Sequence, residues 1–123
     1  MKNLLIISVL LISGCSGMHL KGNDPWTKEQ KVMQGASIVL RTMDWGTTLD
    51  MVDRPEYYEA NPVLGKHPSK GNINTYFAAS MLLNYVLADY LPSKTRTYWL
   101  GLNIAISAVC VGNNYNIGLR MNF

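Results

Sequence analysis

Two long stretches with almost no charge, held five residues apart, limit what this chain can fold into. Ile73 to Leu91 and Thr97 to Val111 flank the short basic link Pro92-Ser93-Lys94-Thr95-Arg96. Phe77, Met81, Leu82, Leu83, Tyr85, Val86 and Leu87 leave the first stretch without a wide polar face. A helix that is apolar nearly all round belongs at the centre of a bundle or in a membrane. Asn72 stands before it as a cap and Pro92 stops it. So short a link sends the second stretch back beside the first as a helical hairpin. Gly101 and Ala105, four apart, let a neighbouring helix come close, and Asn103 and Ser107 share another face that the Asn84 amide can satisfy. At about 1.5 Å per residue the first helix spans about 28 Å, near the thickness of the hydrocarbon layer, and the second about 22 Å, short for a span. Asn84, Asp89 and that shortness favour a compact bundle over a membrane-inserted hairpin. Tyr90, Tyr98 and Trp99 around the link suit a membrane-water interface or the rim of a bundle.

An amphipathic helix precedes the pair. Asp24 as cap with Pro25 at the first helical position, or Thr27 with Gln30 as a capping box, both mark its start. Val32, Ala36, Val39, Leu40 and Met43 then recur at helical spacing. Gly46 weakens its far end, and the helix should stop between Gly46 and Asp53, before Pro55.

Charge is concentrated where that helix ends. Asp44 to Glu59 holds five acids, Asp44, Asp50, Asp53, Glu56 and Glu59, against the single base Arg54. Carboxylates near a helix C-terminus oppose the macrodipole, so helix stability does not account for them. Asp50, Asp53, Glu56 and Glu59 recur every three residues, the spacing of a cation-binding row on one continuous helix, but Pro55 breaks that helix. A solvated acidic turn is the simpler expectation, with no metal and no cofactor. The following segment, Glu59 to Ser69, is broken by prolines and a glycine and reads as a structured loop in which Asn61 before Pro62 initiates a turn. Asp44, Asp50, Glu59, Asn61 and His67 are the candidate polar-site residues: Glu59 with His67, helped by Asp44 or Asp50, makes an acid-base or metal site if the loop folds onto the first helix. No nucleophile turn, phosphate-cradling loop or histidine pair accompanies them.

The last nine residues change period. Tyr115, Ile117, Leu119, Met121 and Phe123 alternate with polar residues or glycine, the pattern of a half-buried strand. It resembles the terminal strand of outer-membrane barrels, but one strand does not make a barrel. The segment either packs its apolar side chains on the bundle or docks on the sheet of an envelope partner. The expected fold is mainly α: a three-helix arrangement with an apolar helical hairpin and a short C-terminal β-like segment.

The N-terminus assigns an address. One positive charge (Lys2), an apolar run from Leu4 to Ile12 and the small residues Ser13 and Gly14 lead to Cys15, the layout of a secretory signal. Ile12-Ser13-Gly14-Cys15 resembles the lipobox of bacterial lipoproteins. That resemblance implies cleavage before Cys15 and a lipid, palmitate among its acyl chains, on the cysteine and its new amino group. Ser16 rather than aspartate next to it implies the outer membrane, with the body facing the periplasm. Residues 1-14 are then a signal peptide, 15-25 a lipidated tether and 26-123 a single helical domain. His19 reads as a solvated tether residue. Removing residues 1-14 leaves 10 basic and 8 acidic residues, a charge of +2 with no clustering, so no nucleic-acid footprint exists. Cys110 is the one cysteine left and reads as a small buried hydrophobe.

Asp44-Trp45-Gly46-Thr47-Thr48-Leu49-Asp50 followed by Glu59-Ala60-Asn61-Pro62 resembles a group of small proteobacterial and phage lipoproteins, from about Trp26 to the C-terminus. The resemblance carries no activity with it. The expected role is that of a lipid-anchored cell-envelope protein, structural or binding rather than enzymatic, in one version a phage-encoded modification of the host envelope that excludes superinfecting phages. The alternative is a small membrane-associated enzyme, metal-dependent or acid-base, using the Asp44 to His67 segment.

Overall fold

The computed structural model of the chain describes residues 24–123, so the expected signal peptide, Cys15 and most of the expected tether lie outside the described residues. The fold is mainly α, with three helices, α1 (Lys28–Val52), α2 (Lys70–Tyr90) and α3 (Ser93–Asn116), and no strand among the described residues.

Helix α1 starts through the capping box. The Thr27 hydroxyl accepts from the Gln30 N–H at 3.1 Å while Gln30 Oε1 accepts from the Thr27 N–H at 3.2 Å. Two donors that the first turn leaves without intrahelical partners are thereby satisfied. Helix α2 is capped by Ser69, whose Oγ accepts from the Asn72 N–H at 3.1 Å, so it begins three residues before the expected Ile73. Helix α3 begins directly after Pro92, which offers no side-chain cap. Most of the expected link is therefore its first turn. The missing cap comes from far away in sequence: the Asp24 carboxylate accepts from the Ser93 N–H at 2.8 Å. A carboxylate there also complements the positive end of the helix.

Cross-helix hydrogen bonds fix the arrangement. Gln30, near the start of α1, donates to the Ser93 carbonyl (2.8 Å) and the Thr97 hydroxyl (2.9 Å) at the start of α3. Asn114, near the end of α3, donates to Thr47 Oγ1 (2.9 Å) in the far half of α1. The two helices therefore run parallel, and α2 runs back antiparallel to both. Helix α1 is central, packing on α3 and on α2, whereas α2 and α3 touch each other least. The expected tight hairpin is thus an open one. Asn84 donates to the carbonyl of Ser80 and Asn103 to that of Trp99, each within its own helix. A Cβ on Gly101 would meet Met33 of α1 rather than α2.

The apolar core sits at the far end, where Leu49, Ile73 and Phe77 are buried and Trp45, Val52, Leu64 and Tyr76 pack round them. Trp45 stacks on Phe77 with ring centroids 5.9 Å apart and donates from Nε1 to Asn74 Oδ1 at 2.8 Å.

The alternating C-terminal segment is not a strand. Tyr115 and Asn116 complete α3, and Ile117 to Phe123 turn back over the end of α1 through Gly118 at φ +100°. With no second strand to pair with, the backbone finds acceptors on α1: the Arg120 N–H donates to Asp50 Oδ2 (3.0 Å) and the Asn122 N–H to the Gly46 carbonyl (3.1 Å). Leu119 is buried while Ile117, Met121 and Phe123 are exposed, so the alternation does not build a buried face. At the crossing the Phe123 ring lies so close to Gly46 that a Cβ there would sit 2.7 Å from it and the ring would have to swing aside.

Candidate functional site

Because α2 and α3 diverge, a cleft of about 370 Å³ opens between them near the far end, with α1 as its floor and the Glu59 to Leu64 loop as its rim. Arg41, Asp44 and Thr48 come from α1, Tyr76 and Phe77 from α2, and Cys110 and Asn114 from α3. Of the five polar-site candidates, Asp44, Glu59 and Asn61 line this cleft.

Asp44 is the chemically distinctive group. Its carboxyl is buried on α1 and turned to the cleft. Arg41 Nη1 lies 3.9 Å from Asp44 Oδ2, and the amide of Asn114 donates to Asp44 Oδ1 at 3.1 Å. The ion pair with Arg41 is long because the guanidinium is also committed elsewhere. It donates to Ser80 Oγ at 2.7 Å and lies over the Phe77 ring at 5.2 Å. Asp44 is consequently a buried carboxyl with few partners, lining a site that a small molecule can enter. Cys110, half-buried rather than buried, lines the same cleft.

The rim is held by its own sequence. Glu59 Oε1 accepts from the Asn61 N–H (2.7 Å) and Asn61 Oδ1 from the Val63 N–H (3.0 Å). The Asn61 carbonyl receives the Leu64 and Gly65 N–H groups, and Gly65 takes the left-handed conformation at φ +78°. Glu59, Asn61, Pro62 and Gly65 are therefore the residues one turn needs, an aspartate-like turn side chain, a fixed φ and a glycine.

The remaining two candidates go elsewhere. Asp50 faces the tail: besides the Arg120 N–H it holds Arg54 Nη2 at 3.1 Å. His67 is exposed beside a second cleft of about 220 Å³ bounded by Met51, Tyr57 and Pro68. The loop closes through the Glu59 N–H on the Lys66 carbonyl at 2.9 Å, yet Glu59 and His67 line different clefts. The expected Glu59 and His67 pair does not form. The carboxylate row is likewise broken, since α1 ends at Val52 and Asp53 turns to Lys70 at 2.9 Å. Among the described residues no group of three or more His, Cys, Asp or Glu side chains lies together as metal ligands do.

Sequence reasoning missed Arg41, Asn114 and the cleft side of Cys110. Arg41 carried a signal, as the only base between Lys31 and Arg54 and three residues from Asp44. Asn114 carried none, because the end of α3 was expected before it.

A larger polar assembly at the opposite end was not foreseen either. Arg96 is completely buried. Its Nε donates to the Ala88 carbonyl (2.7 Å), Nη1 to Gln30 Oε1 (3.2 Å) and the Pro25 carbonyl (3.3 Å), and Nη2 to the carbonyls of Asp24 (2.9 Å), Asp89 (3.1 Å) and Leu91 (3.1 Å). The guanidinium stacks over Trp26 at 4.6 Å, and Trp26 Nε1 donates to Asp89 Oδ1 at 2.7 Å. Ala88, Asp89 and Leu91 supply carbonyls at the C-terminus of α2, where the helix leaves acceptors open and its dipole is negative. Arg96 thus ends one helix, begins the next and ties down the segment before α1. Comparison of the chain with family models, with curated proteins and with solved structures finds no match.

Proposed function

We propose that this is a lipid-anchored cell-envelope protein, attached through Cys15 in the outer membrane and facing the periplasm, whose role is structural or binding rather than enzymatic. The observation that supports this most is where the polar side chains are committed. Arg96, Gln30, Asp50, Glu59 and Asn61 each hold a helix end, the tail or a turn, whereas Asp44 is a buried carboxyl with few partners that lines an open cleft. The version suggested by the phage-like segment is exclusion of superinfecting phages through an altered surface component, and an envelope protein docked at residues Tyr115 to Phe123 is a partner compatible with the exposure of Met121 and Phe123.

Asp44 favours a second reading, acid-base chemistry in the cleft. One experiment addresses both. The full chain is expressed in a susceptible host, uptake of labelled palmitate is followed, and plating of a phage panel is scored. Cys15→Ala should abolish both the label and the protection, while Asp44→Asn and Glu59→Gln should leave both intact. Equal labelling of Cys15→Ala removes the anchor. Loss of protection in correctly folded, fully labelled Asp44→Asn moves the function into the cleft.

A further inference from the structure

The outer surface of the bundle is apolar where its interior is polar. From Val32 to the end of α1, the exposed residues are Val32, Gly35, Ala36, Ile38 and Val39. On α2 every exposed residue from Ala78 to Leu87 is apolar or tyrosine, with Leu82 and Leu83 66% and 68% exposed; on α3 the same holds from Tyr98 to Gly112, with Val109 72% exposed. In these middle sections the polar residues turn inward: Ser37 and Ser107 are buried, and Arg41, Asn84 and Asn103 are half-buried. Soluble proteins expose scattered apolar residues, but not runs of them on three neighbouring helices with polar groups behind them.

Charge is confined to the two ends of this band. Lys28, Glu29, Lys31 and Lys94 lie at the end of the bundle where Arg96 sits, and Asp53, Glu56, Lys66, Lys70 and Arg120 at the other; all are exposed. The exposed charges are separated by Lys31 to Asp53 on α1 and by Lys94 to the end of α3, and on α2 Lys70 is followed by no charge until Asp89. Along the helix axes these separations are about 28 to 33 Å, against a hydrocarbon layer of about 30 Å. Exposed tyrosines mark both rims, Tyr90 and Tyr98 at one and Tyr58 at the other, where amphipathic rings favour the headgroup level.

We propose that this band is seated in the acyl layer of a lipid bilayer, with the three helices embedded as one body and the charged ends in the two headgroup regions. No helix of the described residues is long and apolar enough by itself to cross a membrane. The inward amides such as Asn84 and Asn103 lower the hydropathy of each helix taken alone, whereas lipid meets only the outward residues. One-sided immersion would bring one of the two charged ends into hydrocarbon, so embedding places the ends in opposite headgroup layers. The inference goes beyond the membrane association proposed above by adding bilayer contact of the bundle itself; it rests on the surface of the bundle and not on Cys15.

The test uses nitroxide labels in native membranes on the full chain carrying Cys110→Ala. Val39→Cys, Leu83→Cys and Val109→Cys report the band on each helix, and Lys66→Cys reports the exposed loop. Collision with oxygen should exceed collision with a water-soluble nickel chelate several-fold at the three band sites, and the order should invert at Lys66→Cys. Chelate access at the band sites would overturn the proposal in favour of a body in water. Low collision with both reagents would overturn it in favour of protein cover, by a second copy or another partner. Palmitate labelling of the same membranes reports the anchor separately, so an unlabelled protein with lipid-exposed band sites removes the anchor and leaves this inference standing.

Discussion

The two ends of the bundle both bury charge, and they do so in opposite ways. Around Arg96 a complete guanidinium meets backbone carbonyls, the Gln30 side chain and the Trp26 face. Around Asp44 a carboxylate meets one amide and a guanidinium 3.9 Å away that is shared with Ser80 and Phe77. The difference lies in geometry. Arginine carries five donors in a fixed fork, and a helix C-terminus presents a cluster of open carbonyls that matches it. A carboxylate on the middle of a helix finds only what neighbouring helices bring, and here those helices diverge. A well-matched buried charge joins elements together, whereas an under-matched one is left as a loose contact beside an open cleft.

The largest effect should come from removing the matched charge. Arg96→Met leaves the carbonyls of Ala88, Asp89 and Leu91 without their donor, and should lower the free energy of unfolding by about 3 to 5 kcal/mol. Arg96→Lys should recover little of it, because an ammonium cannot serve acceptors spread across a fork. Thermal and denaturant unfolding of the purified protein measure both. Full recovery by lysine would mean that charge rather than geometry holds this end together.

The under-matched end should respond less. Asp44→Ala leaves the Asn114 amide and the Arg41 guanidinium without their carboxylate, and should lower the free energy of unfolding by about 2 to 3 kcal/mol. Asp44→Asn keeps an acceptor for Asn114 and should recover most of that loss, the opposite of what Arg96→Lys does. Denaturant unfolding measures both. A loss at Asp44→Ala as large as at Arg96→Met would sharpen the comparison the other way, by showing that Arg41 and Asn114 do match the carboxylate.

A smaller effect belongs to Asp50, which lies near Asp44 in sequence but is matched. Asp50→Ala removes the acceptor for the Arg120 N–H and the partner of Arg54, and should cost about 2 kcal/mol while freeing the tail. Limited proteolysis should trim residues after Gly118 faster in the variant. An unchanged trimming rate would leave the Asn122 to Gly46 bond and Leu119 as the holding contacts.

Much of the helix content was legible because its signals are local. The Thr27 and Gln30 box, the stop before Pro55 and the breaks at Pro68 and Pro92 are decided within a few residues, and the turn at Asn61 needed only Glu59, Pro62 and Gly65. The terminal segment misled for the complementary reason. Alternation shows which side chains share a face of an extended chain, but it cannot say whether another strand exists to pair with, and here α1 supplies the acceptors. The candidate site was half legible. Asp44, Glu59 and Asn61 do come together, whereas Asp50 and His67 belong to other surroundings that depend on where the tail and loop cross α1.

Sequence by itself determined that this chain is mainly helical, where its helices break and which groups carry charge, because capping, proline geometry and periodicity act within a turn or two. Only the tertiary structure decided that apolar residues in the middle sections of all three helices face outward together, that Arg96 closes one end and that Asp44 is left under-matched towards the other. Those outcomes depend on how α1 is shared between two helices that touch each other little, a relation between residues 60 or 70 positions apart that no local pattern records.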